Sequence, residues 1–486
     1  LRPALLVLVV AAVALSACLG QGPGSSTAPP ERATFLTIAS FDGHPVPVTI
    51  YRPEGASAAA PVPVVLHSHG WGGARETRLE AFRAFTDAGL AVVSIDMRGH
   101  GEARATSQAR VASPDFEIRD VQAVLGHLAG LDWVRQEAAG DPVAGAMGES
   151  YGGAFPLLTA ALDSRLDAVV AEDTWNDLVH ALAPNGVPKT AWVASLWLSA
   201  AIQGRIHPDI RAGFEQTLRD GAVPASLAAA LAASSPSHQA GGVAVPALFV
   251  QGANDSLFDL GEALRNHAQA TGPVALVAHL GGHSLDTPVR GNATAPPSRH
   301  PCGLPDALAL AWFQRHLLGE DTATPTVCLA LDGGGVLTLP ALPEPNHATH
   351  PADPLRLQVG NMTARAATPV RPAGGDGALV GVPRLEGTVA PTAASGVVYW
   401  SLEAVDAEGH ARAANGQAMP QRVVPSGSPQ PFAFDLAPVA LRLRAGETLR
   451  LAVAGHHALY AAAPAPSGVA EFGGLRVALP ALLDVA

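Results

Sequence analysis

The sequence predicts an α/β domain in which a parallel sheet is covered by helices on both faces and a helical cap is inserted after one strand. An all-β domain of jelly-roll type follows it. Three observations carry this. Short, near-continuous apolar runs alternate with amphipathic helical stretches between Thr34 and Gly319. The stretch from Thr174 to Gly242 breaks that alternation with helical segments. Beyond about Gly319 the helical stripes give way to short alternating strands. A strand buried on both faces reads as a continuous apolar run, and strand–helix alternation implies a parallel sheet between helical layers.

At the N-terminal end, Arg2 precedes an apolar run from Ala4 to Leu15, closed by Ser16, Ala17 and Cys18. A run of about a dozen residues is short for a bilayer span, which takes about 20. With small residues at its end it reads as an export signal. Leu15-Ser16-Ala17-Cys18 resembles a bacterial lipobox, so residues 1–17 are expected to be a lipoprotein signal peptide and Cys18 the lipidated mature N-terminus. Residues 18–33, rich in Gly, Ser, Pro and Thr, then form a flexible tether. The protein is expected to be an exported bacterial lipoprotein of the cell envelope, periplasmic or at the cell surface, touching the membrane only through that lipid. Cys302 and Cys328 remain as an even pair in an oxidising compartment, which favours a disulfide.

The α/β domain is assigned to 34–320. Thr34 to Phe41 and Pro47 to Tyr51 read as an antiparallel edge hairpin. The buried strands are Val62–His67, Ala91–Asp96, Pro142–Met147, Ala168–Glu172, Pro246–Gln251 and Val274–His279. Leu79, Phe82 and Phe85 form a helical stripe stopped by Gly89, and Glu117 to Leu131 carries another through Val121, Val124, Leu125 and Leu128. The cap, about 174–242, is expected to hold helices over Lys189–Gln203 and Gly213–Ala233. It lies over the crevice at the C-terminal strand ends, where open sheets bind ligands. Residues 321–354 read as a linker and 355–486 as a β-sandwich. In the latter, Leu441 and Leu443 against Leu449, Leu451 and Val453, around Ala445-Gly446-Glu447, read as a hairpin.

Composition limits the function. The chain has 486 residues, enough for two to three domains at about 100–200 residues each. Hydrophobic residues make up 48% and charged residues 15%, which excludes a largely disordered chain. A formal net charge of −12 excludes the basic footprint of a nucleic-acid binder. There is no H-E-x-x-H, His67 and His69 lack further partners for a zinc site, no P-loop precedes the single lysine Lys189, and no S-x-x-K occurs. No metal and no cofactor are expected.

The chemistry concentrates at Gly148-Glu149-Ser150-Tyr151-Gly152, a G-x-S-x-G turn between a predicted strand and a predicted helix. Such a turn raises the Ser150 hydroxyl above the sheet at a helix N-terminus. A serine at its free pKa is a poor nucleophile, so it needs a base, and the base needs an orienting acid. Asp255 sits just past Pro246–Gln251 and His283 just past Val274–His279, both at the edge where Ser150 emerges. Asp259 is the alternative acid and His279 the alternative base. Two N–H donors are needed for the tetrahedral intermediate. Tyr151, the residue after the nucleophile, supplies one, and Trp71 in the loop His69-Gly70-Trp71-Gly72-Gly73 the other. Asp96-Met97-Arg98-Gly99-His100-Gly101 is expected to shape the site floor.

With these residues the chain resembles the α/β-hydrolase superfamily and, within it, the X-Pro dipeptidyl-peptidases and cocaine-esterase-type acyl hydrolases. The resemblance rests on the elbow, on Asp96–Gly101, on Asp255 with His283, on Trp175-Asn176-Asp177-Leu178 in the cap and on the appended β domain. It implies a Ser-His-Asp triad, a helical cap and a jelly-roll-like C-terminal domain packed on the hydrolase. Two features depart from it. Trp71 stands where active relatives often place an oxyanion tyrosine. No motif places a carboxylate to grip a substrate amine, although Glu149, Glu172 and Asp173 are candidates. The elbow also looks like that of serine carboxypeptidases, whose acid and base lie much nearer the chain's end. The leading expectation is a secreted, lipid-anchored serine hydrolase of carboxylic esters or amides acting on a small ester or peptide. The alternatives are an X-Pro dipeptidyl peptidase and a non-catalytic cell-surface binding protein.

Overall fold

A computed structural model describes residues 33–283, 300–343, 347–371, 374–460 and 467–485. Cys18 and the expected signal and tether lie outside the described residues. No helix among the described residues is long and apolar enough to cross a membrane.

The N-terminal domain is built in chain order from β1 (Ala33–Ala39), β2 (Pro45–Tyr51), β3 (Val64–Ser68), α1 (Arg83–Asp87), β4 (Ala91–Ile95), α2 (Glu117–Leu128), β5 (Ala144–Glu149), α3 (Tyr151–Leu162) and β6 (Ala168–Glu172). The cap helices follow as α4 (Leu178–Leu182), α5 (Thr190–Gln203), α6 (Pro208–Asp220) and α7 (Ala225–Ala233). The chain then returns through β7 (Ala247–Gly252), α8 (Leu260–Gln269), β8 (Val274–His279), α9 (Pro305–Phe313), β9 (Val327–Ala330) and β10 (Val336–Leu339). These strands make one 10-stranded sheet in the order β1-β2-β4-β3-β5-β6-β7-β8-β9-β10. It is parallel from β4 through β9 and antiparallel at both edges.

Alternate residues of each strand feed two cores, as the pleat requires. Val64, Leu66, Val93 and Ile95 face one layer, which Ile118, Leu125, Phe155 and Leu158 of α2 and α3 complete. Val65, Val92, Val170 and Leu248 face the other, covered by Phe85 of α1 and Trp312 and Phe313 of α9. The disulfide Cys302–Cys328 ties the segment before α9 to β9.

Up to the entry of the C-terminal domain, three expectations are corrected. The Leu79–Phe85 stripe yields a helix only over Arg83–Asp87, although Phe82 and Phe85 are buried. Gly213–Ala233 is two helices, because Gly221 adopts φ 65° and ends α6 while Pro224 leads into α7. The stretch 321–354 is more than a linker: β9 and β10 extend the N-terminal sheet, and His347–Pro351 pairs with Gly468–Pro480 of the C-terminal domain.

The C-terminal domain is all β around a second core that includes Trp400 and Phe472. The expected Leu441–Val453 hairpin does not form. Leu441, Leu443, Leu449, Leu451 and Val453 are all buried, and Glu447 N–H closes the turn on the Arg444 carbonyl. Yet Val439–Leu443 pairs with Gly377–Gly381, and Thr448–Ala454 pairs with Gly396–Val405 and Arg365–Arg371.

Candidate active site

The nucleophile turn follows β5 and opens α3. Ser150 sits at φ 58°, ψ −123°, a backbone region that ordinary residues avoid, directly before the first helical residue. The turn is compressed against its neighbours. A Cβ at Gly152 would run into the Ser68 carbonyl, so only glycine lets β3 and the elbow approach this closely.

His283 joins the two other residues. Ser150 Oγ lies 2.8 Å from His283 Nε2, and His283 Nδ1 lies 2.7 Å from Asp255 Oδ2. A carboxylate can only accept from Nδ1, so Nδ1 carries the hydrogen and Nε2 is left to take the serine proton. All three residues are buried. Burial alone would push the imidazole pKa down, but the Asp255 charge and hydrogen bond, with Asp173 and Glu149 behind them, hold it above its ordinary value. Trp192 of the cap and Phe258 stand edge-on to the imidazole, at 5.6 and 5.1 Å between ring centres.

Asp255 lies on a turn after β7 that folds back on its own side chain. Its Oδ1 accepts from the N–H groups of Leu257, at 2.7 Å, and Phe258, at 3.0 Å. The alternative residues are engaged elsewhere. Asp259 caps α8 through Gly261 N–H, and His279 Nδ1 accepts from Gly281 N–H. Asp173 accepts from Gly252 N–H and the Gln251 amide below the acid turn. Burial pushes both Asp173 and Glu172 well above the usual carboxylate range. Asp173 lies 3.8 Å from the buried His279.

Trp71 and Tyr151 meet edge-to-face, 5.0 Å between ring centres, with His100 packed against both. As the first residue of α3, Tyr151 has a backbone N–H with no carbonyl a turn earlier to receive it. The loop 69–73 is fixed from below. Met97 N–H donates to His69 Nε2, so His69 Nδ1 carries a hydrogen and donates to the Gly70 carbonyl at 2.8 Å. From above, Trp71 Nε1 donates to the Leu196 carbonyl of α5 at 3.0 Å. The Asp96–Gly101 stretch supports this loop through Met97 and His100. Its Arg98 forms a buried ion pair with Asp120 and a second pair with the exposed Asp42.

A small cavity of about 30 Å³ opens beside Ser150, walled by Trp71, Val111, Trp175, Leu196, Phe214 and Phe258 among others. Among the described residues its lining is apolar apart from Ser150 and Tyr151, and no carboxylate belongs to it. Glu149, Glu172 and Asp173 do not line it. From the cap, Trp175, Leu178, Leu182, Leu196 and Phe214 face the cavity, while Trp192 packs on His283 and donates to Ser256 Oγ at 3.0 Å. Val111 enters the cavity at φ 67°, next to Ala112 at φ 57°. Buried Glu117 accepts from the N–H groups of Arg110 and Ser113 around them, and burial pushes its carboxyl up to about 7. Periodicity carries no signal for Val111, Glu117, Gln251 or His100, because what places them is contact across the fold. The left-handed backbone at Val111, a β-branched residue, has no sequence signature at all.

Comparison with known proteins places this site in a family. The model of the X-Pro dipeptidyl-peptidase (S15 family) matches residues 42–285, and that of the X-Pro dipeptidyl-peptidase C-terminal non-catalytic domain matches 321–472. A CocE/NonD family hydrolase from Staphylococcus aureus superposes with TM-score 0.68 at 15% identity, over 92% of this chain and 94% of its own. An α-amino acid ester hydrolase superposes with TM-score 0.61 at 13% identity, over 95% and 99%. These likenesses are of fold. A 2,6-dihydropseudooxynicotine hydrolase of Paenarthrobacter nicotinovorans is 28% identical over 179 residues, which is 37% of this chain and 45% of that protein. The chain thus spans under half the length of that curated relative. The first family model alone covers half of the chain, through the strands that carry Ser150, Asp255 and His283, and the chain belongs to the X-Pro dipeptidyl-peptidase (S15) family.

Proposed function

We propose that the protein is a serine hydrolase that cleaves carboxylic esters with small apolar acyl groups through an acyl-enzyme on Ser150. The observation that carries this is His283 between Ser150 and Asp255, at 2.8 and 2.7 Å. Nε2 takes the hydroxyl proton as Ser150 attacks the carbonyl, and Asp255 stabilises the imidazolium that forms. The N–H groups of Tyr151 and Trp71 receive the oxyanion. His283 then returns its proton to the leaving alcohol, and water repeats the sequence on the acyl-enzyme. The apolar lining beside Ser150 supports an apolar acyl group.

A second reading, dipeptidyl cleavage after Xaa-Pro, is favoured by the family match. It needs a group for the substrate's free amine, and the described lining of the cavity supplies no carboxylate. A non-catalytic surface binder would have no use for the polar chain through Ser150, His283 and Asp255. As to place, the Ala4–Cys18 pattern supports an exported lipoprotein anchored through Cys18, and the mass of the mature N-terminal peptide tests it.

The deciding experiment sets short aryl esters beside Xaa-Pro anilides. Esters are expected to exceed the anilides at least about tenfold in kcat/KM, because their leaving group needs less help and no amine contact offsets the difference. Ser150→Ala is expected to lose on the order of 10⁴–10⁶ in kcat with the fold retained. A free-amine Xaa-Pro substrate that matches the esters would overturn the ester reading. A Ser150→Ala variant that keeps a tenth of the activity would overturn the nucleophile.

A further inference from the structure

The turn that carries Asp255 presents three backbone carbonyls inward, and each is taken by a side chain from a different part of the molecule. Gln251 of β7 donates to the Phe258 carbonyl at 2.8 Å. Lys189, at the entry to α5 in the cap, donates to the Leu257 carbonyl at 2.9 Å. Gln417 of the C-terminal domain donates to the carbonyl of Asp255 itself at 2.7 Å. Gln417 and Lys189 are both buried.

The contact from the C-terminal domain is built rather than incidental. Asn415 and Gly416 take φ 52° and 66°, two successive left-handed residues that turn the chain toward the hydrolase. Asn415 is fixed on three sides. Its N–H donates to Asp332 Oδ2 at 2.8 Å, its Oδ1 accepts from Ala440 N–H at 2.9 Å, and its Nδ2 reaches Asn254 Oδ1 at 3.4 Å, one residue before the acid. Tyr460 locks Ala418, the residue after Gln417, by donating to its carbonyl. A buried carbonyl deprived of its donor must find another, and a turn this short finds one only by rotating its peptides. The Asp255 side chain accepts from Leu257 and Phe258 N–H in the same turn, so any such rotation moves the carboxylate against His283 Nδ1.

We propose that Gln417 is a positioning residue for the catalytic acid, which makes the C-terminal domain a working part of the hydrolase site. The inference rests on the triad reading above. Gln417 touches neither substrate nor the reacting atoms and acts through Asp255.

The test uses the full chain with Gln417→Met, which keeps the side-chain length and removes the donor. Active sites are titrated with a fluorophosphonate, so that misfolded protein is not counted. Per titrated site, kcat is expected to fall about tenfold with KM within about twofold of the parent. The acidic limb of the kcat/KM profile is expected to move to lower pH, because an acid held less firmly raises the His283 pKa less. The groups facing that imidazole are Asp255, Asp173 and Glu149, with the rings of Trp192 and Phe258. A merely structural Gln417 lowers the titratable fraction and leaves kcat per site and the limb unchanged, and that result overturns the proposal. If Gln417→Met yields no folded protein, Gln417→Asn withdraws the amide by one methylene with the same expected readouts. Asp255→Asn separates the two claims. If it stays active, the triad reading fails. If it is inactive while Gln417→Met and Gln417→Asn behave as the parent, the positioning role alone fails.

Discussion

The turn after β7 and the loop after β3 both leave the C-terminal edge of the sheet and both lie beside Ser150, but they are held by different balances of polar bonds and ring packing. The acid turn is fixed by directional polar bonds, with Asp255 Oδ1 accepting two N–H groups and three side chains donating to its carbonyls. The loop after β3 has the His69 bonds to Met97 N–H and the Gly70 carbonyl beneath it, and above them it is held by ring packing and by the cap, where Trp71 wedges between His100, Tyr151 and the Leu196 carbonyl. Hydrogen bonds set an orientation to within a few tenths of an ångström, which an acid facing an imidazole requires. Packing sets a volume, which suits a loop that is proposed to lend a backbone amide to the substrate oxygen. The acid side is therefore expected to fail through single polar deletions, and the oxyanion side through changes in how the cap seats.

The largest effect expected to probe this contrast is Asp255→Asn. The amide keeps the shape but turns a hydrogen-bond donor toward Nδ1, favouring the wrong tautomer, and kcat is expected to fall by on the order of 10⁴. A loss below about tenfold would mean that the polar side is less exacting than its geometry. Trp71→Ala comes next. It removes the tie to α5 and opens the cavity wall, so kcat is expected to fall about 10- to 100-fold, with preference shifting toward bulkier acyl groups. If kcat holds and only KM rises, the loop keeps its place without the cap.

The smallest and most specific effect is on pH. The proposed mechanism needs neutral His283, whose pKa is held above its ordinary value by Asp255 despite burial. The kcat/KM profile is therefore expected to rise with pH through a midpoint above 6.5 and to fall away as pH drops below it, as proton uptake removes the base. Stopped assays with a pH-insensitive ester check this. A flat profile between about pH 5 and 8 would remove histidine as the base.

Much of this arrangement is legible in the amino-acid order. Ser150, Asp255 and His283 each follow an apolar strand, and a parallel sheet sends all such strand ends to one edge. Continuous apolar runs therefore announce both the sheet and the side on which chemistry collects. The elbow is equally local, since G-x-S-x-G between a strand and a helix specifies its own turn. The break between α6 and α7 was also written locally, at Gly221 and Pro224, where a helical stripe read on its own carries through.

Other features were decided only when the chain closed on itself. The alternation of Leu441, Leu443, Leu449 and Leu451 states correctly which side chains are buried, yet their strands pair with Gly377–Gly381 and Gly396–Val405 rather than with each other. Periodicity encodes which face is apolar. It does not encode which neighbour covers that face, because any strand of matching pleat satisfies the same backbone groups. The same limit applies to the acid turn. Nothing near Gln417 or Lys189 in sequence marks a partner for the carbonyls of Asp255 and Leu257, since a side-chain amide or ammonium bonds whichever carbonyl the fold delivers. The residues that react were determined by local order, whereas the residues that hold them in register were chosen by tertiary packing of the cap and the C-terminal domain onto one edge of the sheet.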